Sequence, residues 1–105
     1  MEITTQDNFS DKKITKTLGI VKGNTIRARH IGKDILAGFR SIVGGEVSEY
    51  TKMLAESREQ AIDRMIEDGK SKGADGIVGM KFTTSAILQG SAELLAYGTA
   101  VNLQK

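Results

Sequence analysis

The 105 residues are read as one α+β domain, spanning 1–105, with a mainly antiparallel sheet packed against one long and one short helix. Three observations carry that reading. Runs alternating apolar and polar side chains stand at both ends of the chain, as half-buried strands require. A long stretch between them repeats its apolar residues at helical spacing. No internal repeat, low-complexity tract or shift in composition divides the sequence.

Element by element, residues 3–5 suit a short strand, and Gln6 to Lys13 a polar loop rich in turn formers. From Ile14 the pattern alternates, with Ile14, Leu18 and Ile20 to one side and Thr15, Thr17 and Val21 to the other. Lys22-Gly23-Asn24 is a turn signal and a second run continues through Ile26, Ala28 and His30, which predicts a hairpin. A short helix is expected over Gly32–Val43, its stripe of Ile31, Ile35, Phe39 and Ile42 wide enough to meet two surfaces. Gly44-Gly45 ends it.

The long helix begins near Glu46 and Glu49 and closes near Lys70 and Lys72, an order of charges that the helix dipole favours, with Gly73 as its stop. Val47, Tyr50, Leu54, Ala61 and Met65 fall in one arc, while Glu56, Glu59, Asp63 and Glu67 lie opposite and are expected in water. Two strands follow. In the first, Val78, Met80 and Phe82 are expected to share a face; in the last, Leu95, Tyr97, Thr99, Val101 and Leu103 share one. Ala96, Gly98 and Ala100 give the last strand a small-residue face that a helix or a second sheet can approach closely, and Gln89-Gly90-Ser91 suits the hairpin between the two strands.

Composition narrows the function. With no Cys there is neither a disulfide nor a thiolate metal site. The polar N-terminal decapeptide has no apolar core of a signal peptide, and no apolar run approaches the roughly 20 residues that span a bilayer, so a cytoplasmic protein with no membrane partner is expected. A net charge of +2 is too small to imply nucleic acid. Aromatic residues are 5% of the chain, few for filling a core, so a homo-oligomer that completes the core with copies of itself is expected.

Candidate sites are sparse. His30 is the single imidazole and the one candidate metal ligand. Lys22, Arg27, Arg29, Lys33 and Arg40 form a basic segment, of which Arg27, Arg29 and Lys33 are the candidate anion contacts. Nucleic acid is disfavoured as its ligand, because no aromatic RNA-binding strand or helix-turn-helix pattern accompanies it. Arg58 falls at the margin of the apolar arc, which suggests a structural ion pair with Asp34 or Glu93. Ser41, Ser85 and Ser91 stand in no nucleophile-elbow context, and no catalytic set is assigned.

The runs Arg29-His30-Ile31-Gly32-Lys33-Asp34-Ile35 and Ile42-Val43-Gly44-Gly45 carry a further signal, together with Arg58-Glu59-Gln60-Ala61, Gly73-Ala74-Asp75-Gly76-Ile77-Val78-Gly79 and Tyr97-Gly98-Thr99-Ala100-Val101. In this order and spacing they resemble the YbjQ family, also called UPF0145 or DUF74. The resemblance implies a dodecin-like subunit assembling into a pentameric ring, and its heavy-metal label implies a divalent metal as cofactor. Members often carry acids in the strand after the glycine-rich turn; here Lys81-Phe82-Thr83-Thr84-Ser85 places a cation there. Five copies of His30 gathered about a ring axis are the one histidine route to a metal site. The function expected is therefore a self-assembling, non-enzymatic binding or scaffold protein. The alternative is a ring that binds an anionic ligand or nucleic acid through Lys22–Arg40.

Overall fold

A computed structural model describes residues 1–27, 48–88 and 91–105. Five elements follow in order: β1 (Glu2–Ile3), β2 (Ile14–Arg27), α1 (Ser48–Ser71), β3 (Gly76–Leu88) and β4 (Ser91–Leu103). They build one four-stranded sheet of order β1-β3-β4-β2. β4 pairs antiparallel with both β2 and β3, and β1 lies parallel to β3, so the expected α+β class holds with a mixed, mainly antiparallel sheet. The short helix expected over Gly32–Val43 and the turn at Gln89-Gly90 lie outside the described residues.

The expected hairpin at Lys22-Gly23-Asn24 does not form. β2 runs unbroken from Ile14 to Arg27, and Lys22, Gly23 and Asn24 pair in register with Tyr97, Ala96 and Leu95. Gly23 serves the helix instead. A Cβ there would collide with the backbone carbonyl of Ala61 and the backbone nitrogen of Met65, so the missing side chain lets α1 lie directly on the strand. A glycine required for close approach carries the same letter as one required for a turn.

α1 has 24 residues, or ~36 Å of helix. Its described buried line is Ser57, Ala61, Met65 and Gly69, spaced by four residues. Leu54, expected on that line, is 37% exposed. The helix ends as its sequence predicts: the Gly73 N–H donates to the Lys70 carbonyl and the Ala74 N–H to the Gly69 carbonyl, both at 3.0 Å. α1 lies chiefly over β2 and β4 and touches β3 least.

Beneath it, Val21, Ala61, Met65, Ile77, Met80, Ala96 and Ala100 form the main core. The small-residue face of β4 takes the close helix contact expected of it. On the far side of the sheet, Val78, Val101 and Leu103 make a second cluster with Phe9 and Ile14 against it. The expected sharing of one face by Val78 and Met80 is thus corrected. Gly79 sits at φ +62 in a break of register between Val78 and Lys81, and this bulge turns Met80 to the helix side while Val78 faces away.

Candidate functional surface

Beyond the Phe9 cluster the helix-free face of the sheet has no described layer over it. Strand pairing fixes its rows. Ile20, Thr99 and Val78 stand side by side, then Lys22, Tyr97 and Lys81, then Asn24, Leu95 and Thr83, then Ile26, Glu93 and Ser85. Ile20 is 74% and Ile26 60% exposed, and Leu95 and Tyr97 are half-buried beside them. The Gly79 bulge decides the second row. It places Lys81 opposite Tyr97, so an exposed ammonium stands on each side of the phenol ring. Across the third and fourth rows, the Asn24 amide nitrogen donates to Glu93 Oε2 at 3.1 Å.

The β2 edge is closed by side chains of α1. Asp68 Oδ2 accepts from the Lys22 backbone N–H at 3.0 Å, and the Arg64 guanidinium donates to the Asn24 carbonyl. The Lys72 ammonium, 2.8 Å from Asp68 Oδ1, holds the carboxyl below its ordinary range, and the Lys22 N–H adds to the effect. No sequence rule singled out Arg64 or Asp68; their spacing of four residues on one helix face was the available signal.

A shallow groove of about 430 Å³ opens near the N-terminus, with Glu2, Lys12 and Asp75 among its lining. Three of its charges are engaged. Lys12 pairs with Glu2 at 2.8 Å, which raises the lysine pKa. Asp75 Oδ2 accepts from the Leu103 N–H at 3.0 Å and from the Asn102 amide at 3.3 Å, and the Leu103 bond is the main cause of its lowered pKa.

The sequence-predicted sites are placed as follows. His30, Arg29, Lys33 and Asp34 lie outside the described residues, and Arg27 is the last residue of β2. Arg58 is exposed on α1, while Glu93 is the Asn24 partner on β4. Glu56, Glu59, Asp63 and Glu67 are all exposed, as the helical projection requires. Among the described residues no three His, Cys, Asp or Glu side chains gather to hold a metal ion. With no Cys and one His in the whole sequence, the donor set of a single chain does not fit a soft heavy metal. No described helix is long and apolar enough to cross a membrane.

Among the described residues, a mixed sheet carrying one long helix on one face defines a two-layer α+β domain with no described layer over most of its other face. The comparisons with known proteins give that domain its family. The chain belongs to the YbjQ family, whose model, described as "Putative heavy-metal-binding", matches residues 1–104. A UPF0145 protein of Methanococcus vannielii is 58% identical over 105 residues, covering 100% of both chains. One from Methanosarcina acetivorans is 56% identical over 103 residues, covering 98% of this chain and 97% of its own. A third, from Photobacterium profundum, is 55% identical over 101 residues, covering 96% and 97%. Among solved structures, a protein of unknown function from the DUF74 family of Pediococcus pentosaceus superposes with a TM-score of 0.65. It covers 99% of this chain and 98% of its own at 18% identity, a likeness of fold.

Proposed function

We propose that this protein is a self-assembling subunit, a homopentameric ring of dodecin-like architecture that acts as a non-enzymatic scaffold or binding protein in the cytoplasm. The observation that carries the reading is the open sheet face, with Ile20 and Ile26 standing in water at 74% and 60% exposure. Apolar side chains of that size on a patterned sheet face are what a partner covers. The shape supports it. A radius of gyration of 16.9 Å and extents of 53 × 26 × 16 Å compare with about 13 Å for a compact domain of this length. Five as the number of copies comes from the family resemblance.

Light scattering on the purified protein tests the reading. A mass of five subunits or a multiple of five is expected, and Ile20→Glu with Ile26→Glu is expected to release smaller species that keep the native circular dichroism. A wild-type monomer at micromolar concentration would end it. Metal binding enters only through assembly, which would bring copies of His30 together. Calorimetric titration with Zn²⁺, Ni²⁺ and Cu²⁺, beside His30→Ala, is expected to give heat that the variant loses; no heat with any ion removes metal from the function.

The Lys22–Tyr97–Lys81 row favours a second reading, binding of an anionic ligand whose planar part stacks on the ring. Lys22 also opens the basic segment Lys22–Arg40. Retention on heparin that falls with salt, and falls further in Lys22→Ala with Lys81→Ala, is its expected signature.

A further inference from the structure

Each described edge of the sheet presents a different face to a neighbouring strand. β1 is two residues long, too short to template a partner. β2 is long, but at its centre the outward Lys22 N–H and Asn24 carbonyl are taken by Asp68 and Arg64. β3 differs from both. The N-terminal segment covers it only as far as Met80, whose N–H donates to the Thr4 carbonyl at 3.0 Å. Strand alternation then directs the backbone groups of Phe82, Thr84 and Ala86 the same way, past the end of that cover.

The pairing of β3 with β4 runs without a shift from Lys81 to Ala86, so this stretch of edge is straight. It lacks the devices that blunt natural edges: Phe82-Thr83-Thr84-Ser85-Ala86 contains no charge, no proline and no bulge. Phe82, Thr83, Thr84 and Ser85 are all exposed, and α1, lying over β2 and β4, does not overhang them.

We infer that two copies of the chain join through this edge, β3 against β3 in antiparallel register, with Thr84 on the two-fold axis. The open β3 edge is the one described edge long enough and free enough to template a strand, and a two-fold contact is the arrangement in which both partners supply it. Phe82 of each copy then pairs with Ala86 of the other. The outward N–H and C=O of Phe82, Thr84 and Ala86 are satisfied reciprocally, and the two sheets become one. The inference rests on the self-assembly reading only in that copies associate. It adds a contact that doubles whatever closed ring the other surfaces build, so that a five-membered ring becomes ten.

Native mass spectrometry of the wild type, Thr84→Glu, Thr84→Lys and an equimolar mixture of the two variants tests it. Even-numbered assemblies are expected for the wild type. Each variant alone places like charges on the axis and should lose them. The mixture should regain them as mixed species, which a mere folding defect would not allow. Ten copies support both the ring and the two-fold pairing. Two copies support the pairing and overturn the ring; five alone support the ring and overturn the pairing; a monomer overturns both. Even-numbered species that survive in Thr84→Glu alone would also overturn the pairing.

Discussion

Gly23 and Thr25 share the face of β2 beneath α1, and both are buried. At Gly23 the helix backbone occupies the space of a Cβ, so Gly23→Ala must push α1 off the strand. The expected cost is about 1–3 kcal/mol, the range for overpacking, read as a lower urea midpoint at unchanged m-value. Two residues on, Thr25 is 3% exposed and its hydroxyl finds no hydrogen-bond partner. An orphaned buried hydroxyl is destabilising, whereas a methyl of nearly the same shape is at home there. Thr25→Val is therefore expected to leave stability unchanged or raise it by up to about 1 kcal/mol; a clear loss would mean that the hydroxyl is satisfied in solution.

The bulge in β3 and the helix clamp on β2 act through whole elements. Gly79, at φ +62, lies where a side chain strains the backbone, so Gly79→Ala is expected to cost about 1–2 kcal/mol in thermal or urea unfolding. The clamp has its own readout. Asp68→Ala removes the acceptor of the Lys22 N–H, whose hydrogen exchange should then quicken well beyond that of its neighbours in β2. Acid should act similarly. A carboxyl whose folded pKa is depressed adds stability at pH above its unfolded value, about 4, and that stability is lost as pH falls through the lower folded value. Below about pH 4 wild type should approach Asp68→Asn, which lacks this dependence.

These same elements mark what the sequence could and could not say. The span of α1, its solvated acidic side and its glycine stop were legible, because helical period and capping chemistry are local. So was the small-residue face of β4. The continuity of β2 was not, because Gly23 is explained by a helix some forty positions away in sequence. Nor was the bulge, since alternation by itself gives Val78 and Met80 one face. The open sheet face was half legible. Its apolar members alternate plainly, but that Lys22 and Lys81 flank Tyr97 depends on pairing across three strands. His30, Arg29, Lys33 and Asp34 lie outside the described residues, and among the described residues no set of His, Cys, Asp or Glu side chains gathers as metal ligands.

At the scale of the molecule, the proposed self-assembly would lend stability to an extended chain with an open sheet face. The melting temperature is therefore expected to rise with protein concentration, because association removes folded monomer from the unfolding equilibrium. A midpoint independent of concentration across two decades would speak against any assembly. The strand order carries a different consequence, one of timing. β4 sits between β2 and β3, so the first long strand pairs with the last, Ile14 beside Leu103 and Arg27 beside Ala92. During synthesis β2 has no strand partner until almost the entire chain has emerged. Such distant pairings slow folding, and the nascent β2 is the stretch most exposed to errant partners in that interval. Arg64 and Asp68, both made long before β4, can close over the β2 edge as soon as the helix forms. The clamp thereby offers the β2 edge a cover that does not depend on β4.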